Sequence, residues 1–525
     1  MRNLVFVLIA IIFLPGVATW VHASGQAKYF ILICWDGMRP DYVSAELTPT
    51  LHALREQGVW FANHHSAYPT STEVNGAVLS TGVFPQRNGI LANREYRPEI
   101  NPLQQIGTEA FAAVRRGDKL SGGKYIRVPT VAELVQKKGG RTAVVGAKPV
   151  ALLHDRLARP ADSQNPVWFA GATLPENLCE GLTNQLGGFP PGSSPNTGRD
   201  TWATRCLLDF FWKDKLPGYS VLWLSEPDYS QHHHGPGSPE ALAGIKNADD
   251  RLAAVLAELD RRGVREQTDI LVVSDHGFST VGQNGDVAAT LRRAGLNAQS
   301  VWTTPPQTND IMVVGNGGSV LVYVVGKSPE TIQRVVTALQ QESTSGVLFT
   351  RTGVPGTFPL SEVKLDAPTA ADVIVASSWK INGISAGPMR VDITNEGNTE
   401  YRAGDGMHVT LSPTDLHNLA VAFGPDFKRG VISPIPSGNV DVVPTLLWLM
   451  GIRPPQPLDG RILSEALTIS GPAVSGVELG RRDVVVKMES GVWRQQLKFT
   501  EVNGVRYLEE GNGSWETAIS QGGKK

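Results

Sequence analysis

Short apolar runs that each end at an acidic residue constrain the fold of this chain more than any other feature. Residues 29–35 lead into Asp36, residues 219–224 into Ser225-Glu226-Pro227-Asp228, and residues 270–273 into Ser274-Asp275-His276-Gly277. Such runs read as strands of an open α/β sheet. In those sheets the working crevice lies beyond the carboxyl ends of the parallel strands, so acids placed just after strands face one shared space. Helical patterns follow at 50–56, 130–137, 240–261, 286–293 and 440–450, and this alternation excludes an all-β fold. The expected architecture is a doubly wound, mostly parallel central sheet flanked by helices.

The residues after these runs carry chemistry. Asp36, Thr72, Asp228, His232, Asp275, His276 and His408 form, in chain order, the ligand set and nucleophile of a two-metal hydrolase. Two divalent ions about 3.5–4 Å apart can clamp the entering and leaving oxygens of an in-line displacement at phosphorus, and the clamp needs carboxylates and imidazoles from several strands. Asp228 and His232, four apart, can serve one ion from a single turn. His408 or Asp405 completes that set, the histidine being preferred because imidazole suits zinc-like ions. His233 and His234 are expected to face solvent or to support the ligands from behind. Taken singly, an aspartate after a strand is more often a helix cap and a lone histidine more often a surface residue; the ordered set is what carries the argument.

The blocks Ile-Cys-Trp-Asp-Gly-Met-Arg-Pro-Asp-Tyr (33–42), Tyr-Pro-Thr-Ser-Thr-Glu-Val-Asn (68–75), Ser-Thr-Gly-Val-Phe-Pro-Gln-Arg-Asn-Gly-Ile (80–90), Glu-Pro-Asp-Tyr-Ser-Gln-His (226–232) and Ser-Asp-His-Gly (274–277) carry a resemblance. The chain resembles the alkaline phosphatase superfamily, and within it the type I phosphodiesterase/nucleotide pyrophosphatase family, from about residue 29 to about residue 450. The resemblance implies an alkaline phosphatase-like fold. It makes Thr72 the nucleophile, Asp36, Asp275 and His276 the ligands of one ion, and Asp228, His232 and His408 those of the other. It also makes Asn93 a substrate contact. The sequence departs from the family pattern twice: Glu73-Val74-Asn75 follows the nucleophile where Phe-Pro-Asn is frequent, and Val409 follows His408 where glycine is usual.

A threonine hydroxyl is a poor nucleophile at neutral pH, but coordination to a dication lowers its pKa, so Thr72 needs no histidine base. A helix beginning near Asn75 would favour the phosphoryl anion at its N-terminus. No Arg or Lys adjoins Thr72 in sequence, and Glu73 would repel the extra charge of a monoester dianion. A diester is therefore the expected substrate class, with Arg39 and Arg94 as the cations able to reverse that preference. A phosphomonoesterase or phosphonate hydrolase is the alternative, and an inactive secreted metal-binding protein a third reading. A sulfatase is excluded, because Thr72-Glu73-Val74-Asn75-Gly76 is not a Cys/Ser-x-Pro-x-Arg motif. Zinc is the expected ion, with iron or manganese also compatible.

Composition sets the remaining bounds. The chain has 525 residues, 41% hydrophobic and 19% charged, with a formal net charge of −2, so no broad basic field invites a nucleic-acid polymer as main partner. A small phosphorylated substrate, a nucleotide or other phosphodiester, is expected instead. Arg2, the apolar run 4–14, Pro15-Gly16 and Val21-His22-Ala23 read as a signal peptide over 1–23, cleaved near Ala23; the run is too short for a comfortable membrane span. The protein is thus expected to be exported, periplasmic or extracellular. The metallohydrolase domain spans 24–470, with insertions at about 151–198 and 295–400 that would overhang the strand ends, the second holding a helix near 330–342. A small β appendage is read over 480–520 from the alternating segments 484–488 and 493–500. Of three cysteines, Cys34 is expected as a buried thiol, and Cys179 with Cys206 as a candidate bridge.

Overall fold

The computed structural model describes residues 24–351, 353–382, 388–397 and 400–518; the signal-peptide reading at 1–23 lies outside them. A nine-stranded mixed sheet organises the molecule. Its centre is a parallel run of five strands, Thr268–Val273, Tyr29–Trp35, Tyr219–Leu224, Thr142–Gly146 and Val167–Phe169 in spatial order. Strands Ala420–Phe423 and Ala172–Leu174 run antiparallel on its two sides.

The apolar runs have no polar alternation because both faces of the sheet are covered. Phe30, Leu32 and Cys34 pack on one side with Leu79, Val144 and Leu446. Ile31, Ile33 and Trp35 pack on the other with Ile245, Leu252 and Leu256. The helices Thr72–Thr81 and Asn439–Leu449 thus lie on one face and the long helix Pro239–Arg261 on the other. This is the α/β, doubly wound arrangement expected, and helix termini carry the expected caps: Thr130 closes a capping box with Glu133, and Ser238 and Asp286 accept from the first-turn amides of Ala241 and Ala289. No helix among the described residues is long and apolar enough to cross a membrane.

Two expectations are corrected. The stretch 151–198 does not simply overhang the strand ends, because Val167–Phe169 and Ala172–Leu174 extend the central sheet. Its Trp168 packs at a tilt against Trp202 with ring centroids 4.4 Å apart, so the apolar payload of this stretch is anchored at the sheet edge. Cys179 is exposed and Cys206 buried, and both are free thiols; Cys206 sits in the core beside Trp212 while Cys179 lies on a surface helix. Cys34 is a buried thiol, as read.

Within 295–400 the chain builds a six-stranded sheet, ordered Ala298–Gln299, Ile311–Gly315, Ser319–Val324, Val373–Ser377, Ser345–Thr350, Phe358–Pro359. The helix Pro329–Gln340 packs against it. The C-terminal strands Glu478–Met488, Gly491–Val502 and Val505–Thr517 form an antiparallel meander. It is welded to this second sheet: Trp493 and Leu497 are fully buried, and the Gln495 side chain pairs with both backbone groups of Leu348.

Candidate active site

Three of the central strands deliver their acids to one place. Asp36 follows Tyr29–Trp35, Asp275 follows Thr268–Val273, and Asp228 opens the helix Asp228–His234 after Tyr219–Leu224. The Asp228 amide donates to Asp36 O at 2.9 Å, and the Gly37 amide donates to Asp275 Oδ1 at 3.0 Å, so hydrogen bonds from backbone amides fix the spacing between strand ends. Gly37 has φ +71°, and a Cβ there would stand 3.0 Å from both Asp228 Cβ and the Phe278 ring. Only glycine makes this turn without pushing the carboxylates apart.

The side chains fall into two groups, Asp36, Asp275 and His276 in one and Asp228, His232 and His408 in the other, the ligand atoms of each within 4.8 Å of one another. Every histidine in them gives its Nδ1–H to a backbone carbonyl, His232 to Gly406, His276 to Gly277 and His408 to Thr70. That fixes the tautomer and turns each Nε2 lone pair inward, the arrangement metal-binding imidazoles rely on. Asp36 Oδ1, Asp228 Oδ1 and Asp275 Oδ2 are buried without a hydrogen-bond partner. Buried carboxylate oxygens left bare are costly unless a cation meets them. The donor set therefore fits divalent ions: Asp36, Asp275 and His276 beside Thr72 could hold one, and Asp228, His232 and His408 another.

Thr72 is the first residue of the helix Thr72–Thr81, with Ser71 as its N-cap residue. Its Oγ1 stands 3.2 Å from His276 Nε2 and 3.5 Å from Lys148 Nζ. Asn75 secures this corner, its amide bonding both backbone groups of Ala67 and the carbonyl of Ser71. Asn93 Oδ1 accepts from the Glu73 amide at 3.1 Å, which leaves the donor end of the Asn93 amide for the adjoining pocket. Asp405 takes no part in either group; its carboxylate accepts from the Arg402 amide. His233 and His234 are exposed.

Lys148, two residues beyond the strand Thr142–Gly146, was not singled out by sequence. Its Nζ lies 2.9 Å from Asp36 Oδ2 and 2.8 Å from Asp228 Oδ2, bridging the two groups. Trp223 Nε1 donates to Asp36 Oδ2 at 2.8 Å, a contact equally hidden inside an apolar run. Burial and the neighbouring Asp275 charge push the Asp36 carboxyl well above the usual range. Burial would do the same to Asp228, but Lys148 and His232 hold it well below. Arg39 is spent elsewhere: it pairs with Asp41 and donates to the carbonyls of Phe278 and Met389.

The family model for type I phosphodiesterase/nucleotide pyrophosphatase matches residues 30–383. The chain belongs to this family. Among curated relatives, human ectonucleotide pyrophosphatase/phosphodiesterase family member 1 is 24% identical over 47% of this chain and 23% of its own length. Venom phosphodiesterase 2 of Crotalus adamanteus is 22% identical over 50% of this chain and 28% of its own. The chain thus spans about a quarter of the length of these relatives. A solved structure of murine ectonucleotide pyrophosphatase/phosphodiesterase 5, an inactive form in complex with AMP, matches the fold with a TM-score of 0.59 at 16% identity, covering 84% of this chain and all of that one.

Both departures from the family pattern have a structural counterpart. Val409, where the family usually carries glycine, adopts φ +77°, a strained conformation for a β-branched residue. Glu73 lines a solvent-open pocket of about 500 Å³ together with Asn93, Arg94, Glu109, Phe111 and Phe169. Burial pushes the Glu73 carboxyl well up and that of Glu109 to about 7, each beside the other. The expected repulsion of a dianion by Glu73 is weakened accordingly.

Proposed function

We propose that this protein is an exported two-metal phosphodiesterase of the nucleotide pyrophosphatase type, acting on a small phosphodiester or nucleotide through a phosphothreonine at Thr72. The observation that carries this reading is the convergence of three bare carboxylate oxygens and three inward imidazole nitrogens around one helix-terminal hydroxyl. Divalent ions held there, zinc being expected and iron or manganese compatible, would supply Lewis acidity toward the phosphoryl oxygens and lower the pKa of the hydroxyl.

The chain's own groups account for the rest. Thr72 Oγ1, its proton lost to solvent, attacks phosphorus as the bond to the leaving oxygen breaks, and that oxygen takes up a proton from solvent. Water then adds to phosphorus and cleaves the Oγ1–P bond, restoring the Thr72 hydroxyl and releasing the phosphorylated product. The N-terminus of the helix Thr72–Thr81 and the Asn93 amide donate toward the non-bridging oxygens as charge builds on them. Phe111 and Phe169, with ring centroids 5.5 Å apart, offer an apolar wall for the second substituent of a diester. The AMP bound by the murine relative is in keeping with a nucleotide there.

Lys148 favours a second reading. A cation 3.5 Å from the nucleophile is what a monoester dianion would use, so a phosphomonoesterase of the same superfamily stays as the alternative. Steady-state kinetics on bis(p-nitrophenyl) phosphate and p-nitrophenyl phosphate separate the two. Higher kcat/KM on the diester is expected; a tenfold advantage for the monoester would overturn the diesterase reading. With either substrate Thr72→Ala should lose at least about a thousandfold in kcat, as removal of a nucleophile does, while retaining metal. Robust turnover in that variant would remove Thr72 from its role.

A further inference from the structure

A third group of metal-binding side chains lies outside the site just described, where the C-terminal meander meets the catalytic domain. His65 belongs to a two-residue strand paired with Ser437–Gly438, His417 follows the short helix Pro413–Leu416, and Glu509 lies on the last strand, Val505–Thr517. Their ligand atoms are all within 4.8 Å of one another. His65 Nε2 is 3.2 Å from Glu509 Oε2, and His417 Nε2 is 3.0 Å from the same oxygen.

The orientation of two of the three ligands, His65 and Glu509, is set from behind. His65 gives its Nδ1–H to Ser437 O at 2.9 Å, which leaves Nε2 with its lone pair. That nitrogen belongs to a side chain only 1% exposed and has no hydrogen-bond partner. Thr500 Oγ1 donates to Glu509 Oε1 at 2.8 Å, so the other carboxylate oxygen is the one aimed between the rings. The rings stand edge to face with centroids 4.6 Å apart. The Nε2 lone pair of neutral His65 and the Glu509 carboxylate oxygen, 3.2 Å apart, repel unless a positive charge stands between them. Tetrahedral coordination at zinc–ligand distances of about 2.0–2.2 Å places ligands about 3.3–3.6 Å from one another, so small adjustments of these three atoms would close on an ion. His417 is 32% and Glu509 22% exposed, which leaves solvent access to a fourth position.

We propose that His65 Nε2, His417 Nε2 and the Glu509 carboxylate form a separate zinc-type cation site, completed by water, that ties the C-terminal sheet to the catalytic domain. Two imidazoles and one carboxylate are a donor set of that class. The three ligands come from distant parts of the chain, so the ion would cross-link segments that no short loop joins. It adds a site to the reading above and does not depend on that reading.

Full-length protein, stripped with a chelator and titrated with zinc alone, tests the assignment. Wild type should bind one more zinc per chain than His417→Ala and one more than Glu509→Gln, with both variants folded by circular dichroism. Zinc bound at the catalytic groups cancels in that difference. Crystals of wild type should give an anomalous peak at the zinc edge between the three side chains. Equal zinc binding by all three proteins, or no such peak at zinc saturation, would overturn the site and leave an imidazolium–carboxylate contact in its place.

Discussion

At the scale of single residues, the candidate active site is a concentration of negative charge with one lysine inside it. Asp36 and Asp275 are fully buried and Asp228 nearly so. Lys148 is the cation that touches two of them, with Nζ within 2.9 Å of both Asp36 and Asp228. Removing one partner of a buried pair costs more than the pair was worth, roughly 3–5 kcal/mol, because the other charge is left uncompensated. Lys148→Met should therefore lower the melting temperature of metal-free protein, and added zinc should recover most of the loss by supplying the missing positive charge. Thermal denaturation with and without zinc checks this, and a loss of equal size in both conditions would show that Lys148 acts through packing alone.

The element on which catalysis would turn is the helix Thr72–Thr81. Every one of its ten residues is buried, yet its sequence has glycine at position 76 and β-branched residues at three further positions beyond Thr72 or at its end. Such a segment is a poor helix former alone, so its stability comes from tertiary packing. Gly76 is where that packing is tightest: a Cβ would lie 2.4 Å from Val150 Cγ2 and 3.5 Å from the Trp223 ring. Alanine in a helix interior usually gains about 0.5–1 kcal/mol over glycine. Here overpacking of about 1–3 kcal/mol works against it, because Val150 is stiff and fully buried. Gly76→Ala is expected to destabilise by about 1 kcal/mol or more and to reduce turnover by displacing Thr72, read by chemical denaturation beside kinetics. A stabilised variant would mean that Val150 yields freely.

Across the whole molecule, a carboxyl pair joins the N-terminal segment to the sheet. Asp426 accepts from the amides of Gln26 and Ala27 at 2.6 and 3.0 Å, and its own amide donates to Asp269 Oδ1 at 3.3 Å. Burial, followed by the charge of Asp426, pushes the Asp269 carboxyl from 3.8 to about 9. A carboxyl raised in the folded state binds its proton more tightly there than in the unfolded chain. Its contribution is therefore most favourable below pH 3.8 and is lost as pH rises toward 9, at up to about 1.4 kcal/mol per pH unit. Asp269→Asn removes the titration and keeps the shape, so its melting temperature should exceed that of wild type by more at pH 8 than at pH 5. An equal difference at the two pH values would exclude Asp269 as the source.

Local chemistry was readable from the sequence wherever a few neighbouring residues decide the outcome. Apolar runs marked the strands that end at Asp36, Asp228 and Asp275, and periodicity with capping residues placed helices such as Pro239–Arg261 and Asn439–Leu449 to within about a residue of the limits read. What side chains meet across the fold was not readable this way. Lys148 reaches Thr72 from 76 positions away, Trp223 sits on Asp36 from inside a run that reads only as core, and His65, His417 and Glu509 gather from three distant segments. Asp405 stood as a rival to the preferred His408 in sequence, and the folded chain turns His408 inward while the Asp405 carboxylate accepts from the Arg402 amide. Cys179 and Cys206 matched a redox compartment but lie in different surroundings. Periodicity and turn chemistry act over a handful of residues, whereas these contacts depend on how separate elements pack, and only the folded chain decides that.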